Sequence, residues 1–476
     1  MKLDRALVGG LVVDPKNGIE AKMDIGIADG KVAVVAPEID LSDTKAVHDV
    51  SGKVVIPGVI DLHVHTSRRH AGYNAHRMMA KAGVVTAFDV GGPLDEYYEF
   101  CRTDGAGLNM AALQQIRPGL TVKGEDPKEP EIEHLISESL SEGALGIKML
   151  GGHYPLTPEA SRRTLEACNK ARCYVAFHGG STKYGSNIEG LIEAVELCEG
   201  LRCHIPHINS YCGGMVKKPL LEILEALDAL EKNRNIFSES YLAIINGTSA
   251  RCIDGVPESK ATQLCLTSQG YPATQAGLRQ AILDGYGKVN QQYGGENINV
   301  TGEAGVRRWE SAGTVTSVNF PKNPPVSRML SAIAKDDDGE FIVDALATDG
   351  GGHPRNVAVE RGMCLVKLEC WTMQEFVRKV SYVPSRILGL TQKGHLGVGA
   401  DADITVIDHG TGKACMSVSA GNLVLVDGAL VARSTRIITT AAGKDYVEKL
   451  GFESYVVDIE DGVFYESAPG DLPRPF

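Results

Sequence analysis

Residues 55–65 read VIPGVIDLHVH, an apolar run that ends in two histidines one residue apart. In an extended strand alternate side chains share a face, so His63 and His65 point the same way while Val64 packs on the other face. Two imidazoles on one face can chelate one metal ion. Solvated histidines or two core histidines would fit the same pattern, but the preceding Pro57-Gly58 and Asp61 favour a metal site.

The composition predicts a folded, water-soluble protein. The chain has 476 residues, 43% hydrophobic and 23% charged, a length that suits one large domain and a smaller one. A net charge of −12 with no basic run predicts neither a nucleic-acid partner nor a membrane partner. Eleven cysteines without a CxxC pair, and the absence of a signal-peptide pattern, favour the cytoplasm.

The two chain ends share a texture of short alternating runs separated by turns. Residues 25–27 and 32–35 flank the turn Asp29-Gly30, and residues 402–407 and 423–426 repeat this pattern near the other end. We therefore predict that residues 1–56 and 395–476 build one small β-sandwich domain.

Between these ends short apolar runs alternate with helical segments, which is typical of parallel βα units. Eight candidate strands lie near residues 54–63, 84–91, 107–116, 143–150, 173–179, 201–208, 236–243 and 343–349. The fold class predicted for residues 57–394 is therefore α/β, a (β/α)8 TIM-like barrel. Residues 244–338 are too long for a connection, and this insertion is expected to cover the site or make subunit contacts.

Catalytic groups of such a barrel lie at the carboxyl ends of its strands. Besides the first two histidines, the predicted strands deliver Lys148, His178, His204, His207 and Asp349 there. Each of them alone could be a core or capping residue. Their recurrence at five strand ends favours one common site.

With these residues in place, the chain resembles the amidohydrolase superfamily over nearly its whole length. The motifs that carry the resemblance are residues 57–65, PGVIDLHVH, and residues 397–404, GVGADADI. The branch it resembles holds dihydroorotases, hydantoinases, enamidases and N-acyl-D-amino-acid deacylases.

The resemblance implies a hydrolase acting on carbon–nitrogen bonds other than peptide bonds, with two divalent metal ions, zinc by preference. His63 and His65 would bind the buried ion, His178 and His207 the more exposed one, and carbamylated Lys148 would bridge them. Asp349 would be both a ligand of the buried ion and the catalytic proton carrier. A hydroxide bridging the ions would attack the amide carbonyl. Imidazole and carboxylate ligands suit zinc, and a bare ammonium in an apolar strand would be costly.

Two departures narrow the family. Residues 143–160 and 353–355 resemble the D-aminoacylase group, which usually lacks the strand-four lysine and uses a cysteine after strand two. Here residues 88–92 hold no cysteine and Lys148 is present, so the metal centre resembles dihydroorotase and hydantoinase more closely. Ser67 holds the position of the carboxylate-binding arginine of dihydroorotases, with Arg68 one residue later, which argues against pyrimidine biosynthesis.

Five further residues are candidates for substrate binding. Tyr154 follows the lysine strand, where hydantoinases place a tyrosine for an oxyanion, and Arg355 could bind a carboxylate bidentately. The other candidates are Tyr241, Asn246 and His353. For each of them plain packing or a loop ion pair is an equal alternative.

The predicted function is cleavage of a carbon–nitrogen amide bond in a small cyclic amide or ureide. The first alternative is an N-acyl-D-amino-acid deacylase acting on linear substrates, and the second is a catalytically silent assembly module of the same fold. A deaminase is less compatible, because mononuclear deaminases do not need Lys148. The expected partners are a small-molecule substrate and further copies of the chain, as a homodimer or homotetramer.

Overall fold

The computed structural model describes residues 2–67 and 73–465. Arg68, which the sequence places beside the position of the dihydroorotase arginine, lies outside these residues. Within the described ranges no helix is both long enough and apolar enough to cross a membrane.

The chain alternates strands and helices through most of its length. The strands are β1 Arg5–Asp14, β2 Ile19–Ala28, β3 Lys31–Ala36, β4 Val47–Asp49, β5 Lys53–Pro57, β6 Val59–His65, β7 Val84–Asp89, β8 Asn109–Ala112, β9 Gln114–Ile116, β10 Gly146–Met149, β11 Tyr174–Phe177, β12 Cys203–Ile205, β13 Ile236–Ser240, β14 Asn246–Ser249, β15 Cys252–Ile253, β16 Val256–Pro257, β17 Lys288–Tyr293, β18 Glu296–Val300, β19 Ser317–Phe320, β20 Ala345–Leu346, β21 Gly350–Gly351, β22 Ile404–Asp408, β23 Lys413–Ser419, β24 Asn422–Val426, β25 Ala429–Leu430, β26 Arg436–Thr439 and β27 Glu453–Val456. The helices are α1 Ala75–Lys81, α2 Leu94–Thr103, α3 Glu129–Ser141, α4 Pro158–Lys170, α5 Ile188–Leu197, α6 Ile208–Tyr211, α7 Pro219–Lys232, α8 Lys260–Thr267, α9 Gln275–Leu283, α10 Gly302–Ser311, α11 Pro325–Ile333, α12 Ala358–Lys367, α13 Met373–Val377, α14 Val383–Ile387 and α15 Lys444–Lys449.

Two six-stranded sheets with parallel pairing form the middle of the molecule. One has the order β20-β13-β12-β11-β10-β9, and the other has the order β21-β6-β7-β8-β26-β27. Residues 109–116 supply β8 to one sheet and β9 to the other, and residues 345–351 supply β20 and β21 in the same way. Because all these pairings are parallel, the carboxyl ends of the strands lie on one side, as the α/β prediction requires.

Local sequence explains these elements. Strands β7, β10 and β11 are buried along their whole length and carry mainly aliphatic and small residues, as expected for parallel strands covered on both faces. Helix α4 begins where the Thr157 hydroxyl accepts a hydrogen bond from the Ala160 amide at 3.1 Å. Every one of the eight predicted stretches contains a strand.

A nine-stranded sheet joins the two chain ends. Its order is β25-β24-β23-β22-β5-β1-β2-β3, with β4 paired to β1. Strands β22 and β5 are antiparallel, with Thr405 opposite Ile56, so the motif at 397–404 leads back beside the start of the barrel sequence. The structure gives these strands as one sheet. Strand β26 pairs instead with β8, and β27 pairs with β26. The domain limits at 56 and 394 stay a prediction.

The insertion at residues 244–338 has its own small core. Strands β14, β19, β17 and β18 form a four-stranded antiparallel sheet, and α8 to α10 pack around it. The buried side chains of this core include Leu266, Leu278, Trp309 and Phe320. A separate core lets the insertion stand over the strand ends as a folded unit rather than as a long loop.

Candidate metal centre

The two histidines of the opening motif meet Asp349. His63 Nε2 and His65 Nε2 lie 3.3 Å apart, and Asp349 Oδ1 lies 2.9 Å from the second ring and 3.5 Å from the first. One ligand atom of each residue lies within 4.8 Å of the others, a spacing at which one ion can be shared. The alternation of strand β6 therefore places both imidazoles on one face, as the sequence predicts.

Asp349 reaches this point through a turn between β20 and β21. Its φ of 51° lies in the left-handed region, where Asp is among the better tolerated residues. Just before it, the Thr348 hydroxyl donates a hydrogen bond to Asp61 at 2.5 Å, and the Thr348 amide donates to the same carboxyl group at 3.1 Å. The aspartate of the opening motif thus anchors the strand end that presents Asp349.

The next two histidines form a second group beside the first. The His178 and His207 ring centroids are 4.5 Å apart, and the His63 and His207 centroids are 5.0 Å apart. His178 Nε2 lies 2.7 Å from the Ser186 hydroxyl, and His207 Nδ1 lies 2.7 Å from the Ser210 hydroxyl. Each ring therefore keeps its other nitrogen available for an ion.

Lys148 lies on β10, close enough to His178 and His207 for its charge to lower their pKa values. The residue is 2% exposed, and its Nζ has no hydrogen-bond partner among the residues that the structure describes. Burial lowers the pKa of the lysine to about 8, against the attraction of Glu239 and Asp349, which works to raise it. A buried amine without a partner, which is partly neutral near physiological pH, fits a group that is modified or shared with metal ions.

Burial and charge also set the protonation of the other candidate ligands. Burial holds the pKa values of His63, His178 and His207 well below the usual range, so these rings are neutral and able to ligate at neutral pH. Burial works to raise the pKa of Asp349, but the Arg355 guanidinium and then His63 and His65 hold it well below its usual range. The carboxyl is therefore an anion.

His204 and His207 take different places in the structure. His204, the neighbour not chosen as a ligand, lies on β12 with its Nδ1 2.9 Å from the Tyr174 hydroxyl. Burial lowers the pKa of His204 to about 3, and its ring centroid lies 5.9 Å from that of Tyr174. His207, at the start of α6, is the one whose ring joins His63 and His178.

The sequence reasoning missed Glu239. It stands on β13, is fully buried, and has its Oε1 2.6 Å from His63 Nδ1 and its Oε2 2.5 Å from the His207 amide nitrogen. The available signal was an acidic residue within the short buried strand IFSES. Nothing in the local pattern says which histidines it meets.

A cavity of about 100 Å³ opens in front of these residues. His65, His178, His207 and Asp349 line its inner end, and residues of the insertion, 246–249, 261, 264, 265 and 322, line the outer part. The insertion thus supplies part of the cavity wall.

The substrate candidates fall on different sides of this cavity. Tyr154 and Asn246 line it, but the Tyr154 hydroxyl donates to Glu258 at 3.3 Å and its ring stacks under Arg117 at 3.7 Å. Arg117 itself pairs with Glu258 at 2.6 Å. Tyr154 is therefore held by a hydrogen bond to Glu258 of the insertion.

The other three substrate-binding candidates, Arg355, Tyr241 and His353, lie behind the inner end of the cavity. Arg355 Nη2 lies 2.8 Å from Asp349 Oδ1, and its guanidinium carbon lies 5.2 Å from the Tyr241 ring centroid. The Tyr241 hydroxyl donates to Asn246 Oδ1 at 2.5 Å. The His353 ring centroid is 6.1 Å from that of His65. Their roles in substrate binding stay predictions.

Known proteins resemble this chain in sequence and in structure. Residues 296–438 match the amidohydrolase family. A dihydroorotase of Pelotomaculum thermopropionicum is 25% identical over 435 residues, which cover 84% of this chain and 88% of that protein. Among solved structures, a D-aminoacylase with a binuclear metal centre has a TM-score of 0.64 at 16% identity, covering 91% of this chain and 99% of its own. A D-hydantoinase has a TM-score of 0.56 at 16% identity, covering 91% and 98%.

Proposed function

Because this chain belongs to the amidohydrolase superfamily, we propose that it is a metal-dependent hydrolase that opens a small cyclic amide or ureide. The observation that carries the proposal is the convergence of residues from distant parts of the chain on one cavity. The rings of His65, His63, His207 and His178 follow one another within contact distance, with Asp349 against the first two. The enzyme class is a hydrolase acting on carbon–nitrogen bonds other than peptide bonds.

The residues fit divalent ions, zinc first. Four imidazoles and one carboxylate are borderline and hard donors of the kind zinc takes in hydrolases, and the matched positions hold no thiolate. The unpartnered Lys148 Nζ, buried near this group, supports a carbamate at that position, which would hold two ions. When bound, such ions supply Lewis acidity and a water of lowered pKa.

The chain's own residues then account for the proton movements. Asp349, kept anionic by Arg355, can accept a proton from an attacking water at the inner end of the cavity. The same carboxyl can deliver this proton to the leaving nitrogen, first as general base and then as general acid. Its contact with both His63 and His65 fixes the oxygen position before substrate arrives.

Substrate access is controlled by the insertion. The cavity wall contributed by residues 246–249 and 261–265 limits the length of a bound molecule and keeps bulk water from its inner end. An enclosed pocket favours a compact ring over an extended acyl chain. Relatives named dihydroorotase, which act on a cyclic amide by their name, support the same choice.

The alternative is a deacylase for linear N-acyl-D-amino acids. It is supported by the fold likeness to D-aminoacylase, whose TM-score of 0.64 exceeds the 0.56 of D-hydantoinase. The presence of Lys148 and the absence of cysteine in residues 88–92 favour the cyclic substrate. A catalytically silent assembly module, the remaining alternative, gives no reason for a buried lysine without a partner.

We also propose the domain architecture, the oligomeric state and the cellular location that the sequence predicts. We propose that the two parallel sheets close into one (β/α)8 barrel. The proposal is supported by residues 109–116 and 345–351, since each of these segments supplies one strand to each sheet. The sheet shared by the chain ends is assigned to a β-sandwich domain. A homodimer or homotetramer in the cytoplasm is the expected assembly.

A substrate panel with metal analysis tests the proposal. Purified protein is analysed for bound zinc, manganese and iron, and then assayed for ring opening of hydantoin, dihydrouracil, dihydroorotate and simple lactams beside N-acetyl-D-amino acids. About two ions per chain with ring opening are expected. Turnover of the linear substrates alone would favour the deacylase, and metal-free, inactive protein would favour the silent module.

A further inference from the structure

Glu239 occupies a position that the proposed chemistry leaves unexplained. Its carboxyl group is fully buried on β13. One oxygen contacts the His63 side chain at Nδ1, 2.6 Å away, and the other accepts a hydrogen bond from the His207 amide at 2.5 Å. His204 Nε2 lies 4.0 Å from Oε1, beyond hydrogen-bond distance. One side chain thus joins the strands that present two of the histidines.

Such a group is expensive as a purely structural element. Transferring a carboxyl from water to a protein interior is unfavourable unless each oxygen finds a partner. Here each oxygen has one partner, and both partners belong to candidate metal ligands or their backbone. An apolar residue would fill the same volume on β13 without this cost, so the contacts themselves require an explanation.

We infer that Glu239 is a positioning residue that fixes the ring tautomer of His63 and the backbone of His207 for metal binding. The inference rests on the proposed function, because it needs an ion at His63 Nε2. A histidine that binds an ion through Nε2 carries its proton on Nδ1, and a carboxylate facing Nδ1 holds both that proton and the ring orientation.

The neighbouring histidines show why this position differs. Ser186 and Ser210 contact His178 and His207 through hydroxyl groups, which can donate or accept and therefore select neither tautomer. With an ion at Nε2, the only ring proton of His63 is on Nδ1, and the Glu239 oxygen 2.6 Å away is placed to accept it. Among these three contacts, Glu239 alone faces a ring whose Nε2 points toward His65 and Asp349, so accepting the Nδ1 proton leaves the lone pair of Nε2 directed at that point.

The second contact acts on the backbone. His207 has a φ of 41°, in the left-handed region that residues other than glycine enter only at a cost in energy. Its amide donates to Glu239 Oε2, and its carbonyl accepts from the Ser210 amide at 2.8 Å. Glu239 thus holds the peptide from which the His207 ring projects toward His178.

Glu239→Gln is the informative variant. The amide keeps the size of the side chain and its oxygen can still accept from the His207 amide, which leaves an NH₂ group facing His63 Nδ1. A donor at that point favours the tautomer with the proton on Nε2, which cannot ligate. We expect zinc affinity, measured by competition with a chromophoric chelator, to fall roughly 10- to 100-fold.

A matched control separates positioning from stability. Asp14 is a fully buried acid of the nine-stranded sheet that accepts from the Leu396 amide at 2.8 Å and the Asn17 side chain at 2.6 Å. Asp14→Asn should lower the melting temperature of the metal-free protein and leave zinc affinity unchanged. Glu239→Asp, whose shorter side chain keeps the acceptor but cannot span both contacts, should fall between wild type and Glu239→Gln.

The readouts keep the two proposals distinct. Zinc uptake by wild type with weakened uptake by Glu239→Gln, and an altered visible spectrum of the cobalt-substituted variant, supports the inference. Equal zinc affinity of wild type and Glu239→Gln overturns the inference. This holds even when the variant has a lower melting temperature, because a purely structural role would change stability and leave zinc affinity unchanged. Wild-type protein that binds no added zinc overturns the proposed function itself.

Discussion

Asp349 and Arg355 form a buried ion pair, with Arg355 Nη2 2.8 Å from Asp349 Oδ1. Arg355 is 1% exposed, and its other terminal nitrogen donates to the Ile245 carbonyl at 3.0 Å. The guanidinium therefore links the catalytic candidate to the first residues of the insertion. It stabilises the anionic form of Asp349 more than any other neighbour does.

Arg355→Met should move the acidic limb of the pH profile of kcat/KM toward higher pH. Removing the cation raises the pKa of Asp349, so the carboxylate needed as a base is lost at a higher pH than in wild type. A shift of about 1 to 3 pH units is expected from the loss of an opposite charge at this distance. Arg361→Met, which removes a guanidinium bound to the Leu242 carbonyl, serves as the control and should leave the limb in place.

Asp349→Asn should slow turnover at least roughly 100-fold, the usual loss when an acid-base group is removed. The amide keeps the shape and an oxygen near His63 and His65 but cannot shuttle a proton. Steady-state kinetics and metal content are measured on the same preparation. Near wild-type kcat with full metal content would exclude Asp349 as the proton carrier.

Lys148→Met should remove most of the bound metal. The variant fills the volume of a side chain that is 2% exposed but has no nitrogen to carry a carbamate. Lys379→Met is the matched control, since Lys379 is equally buried and donates to the Ala332 and Val343 carbonyls away from the histidines. It should lose stability and keep its metal; retention of both ions by Lys148→Met would contradict the bridging role.

His76 predicts a pH-dependent loss of stability. It is fully buried on α1, neither ring nitrogen has a hydrogen bond to any residue that the structure describes, and burial lowers its pKa to about 4. Below the unfolded pKa near about 6.5 the unfolded chain takes up a proton that the folded chain refuses until about pH 4, so stability falls as pH falls through this window. The full effect is about 3 kcal/mol.

His76→Leu should therefore flatten this dependence and stabilise the protein, because it also removes two unsatisfied polar atoms. The midpoint of urea unfolding is compared at about pH 7.5 and about pH 5, where the variant should gain about 2 kcal/mol over wild type. His409→Leu, at an exposed position, is the reference. A parallel decline of wild type and His76→Leu would refute the assignment.

The sequence predicts the strand positions and the histidines because each depends on a short, local pattern. The alternation that aligns His63 with His65 needs only one extended strand, and the position of Asp349 needs only a strand end. Glu239 could not be assigned, because its meaning depends on two histidines from other strands. The engagement of Tyr154 by Glu258 depends in the same way on how the insertion folds.

Pairing between distant strands is the other part that local pattern cannot give. The short runs at residues 436–439 and 453–456 read like any other edge strands. The first pairs with β8 and the second pairs with the first, and these pairings follow from which hydrogen-bonding edge is open in the folded sheet. The same holds for the union of β5 with β22. In both cases the partner is chosen by three-dimensional packing and not by neighbours in the chain.

The pairing of β26 with β8 has a consequence for biosynthesis. Until the ribosome has made β26, the edge of β8 that this strand will occupy is an open template for strands of other molecules. Domains generally fold in order of synthesis, yet this sheet waits for a strand made long after β8. A chain cut before β26 should therefore depend on chaperones and aggregate.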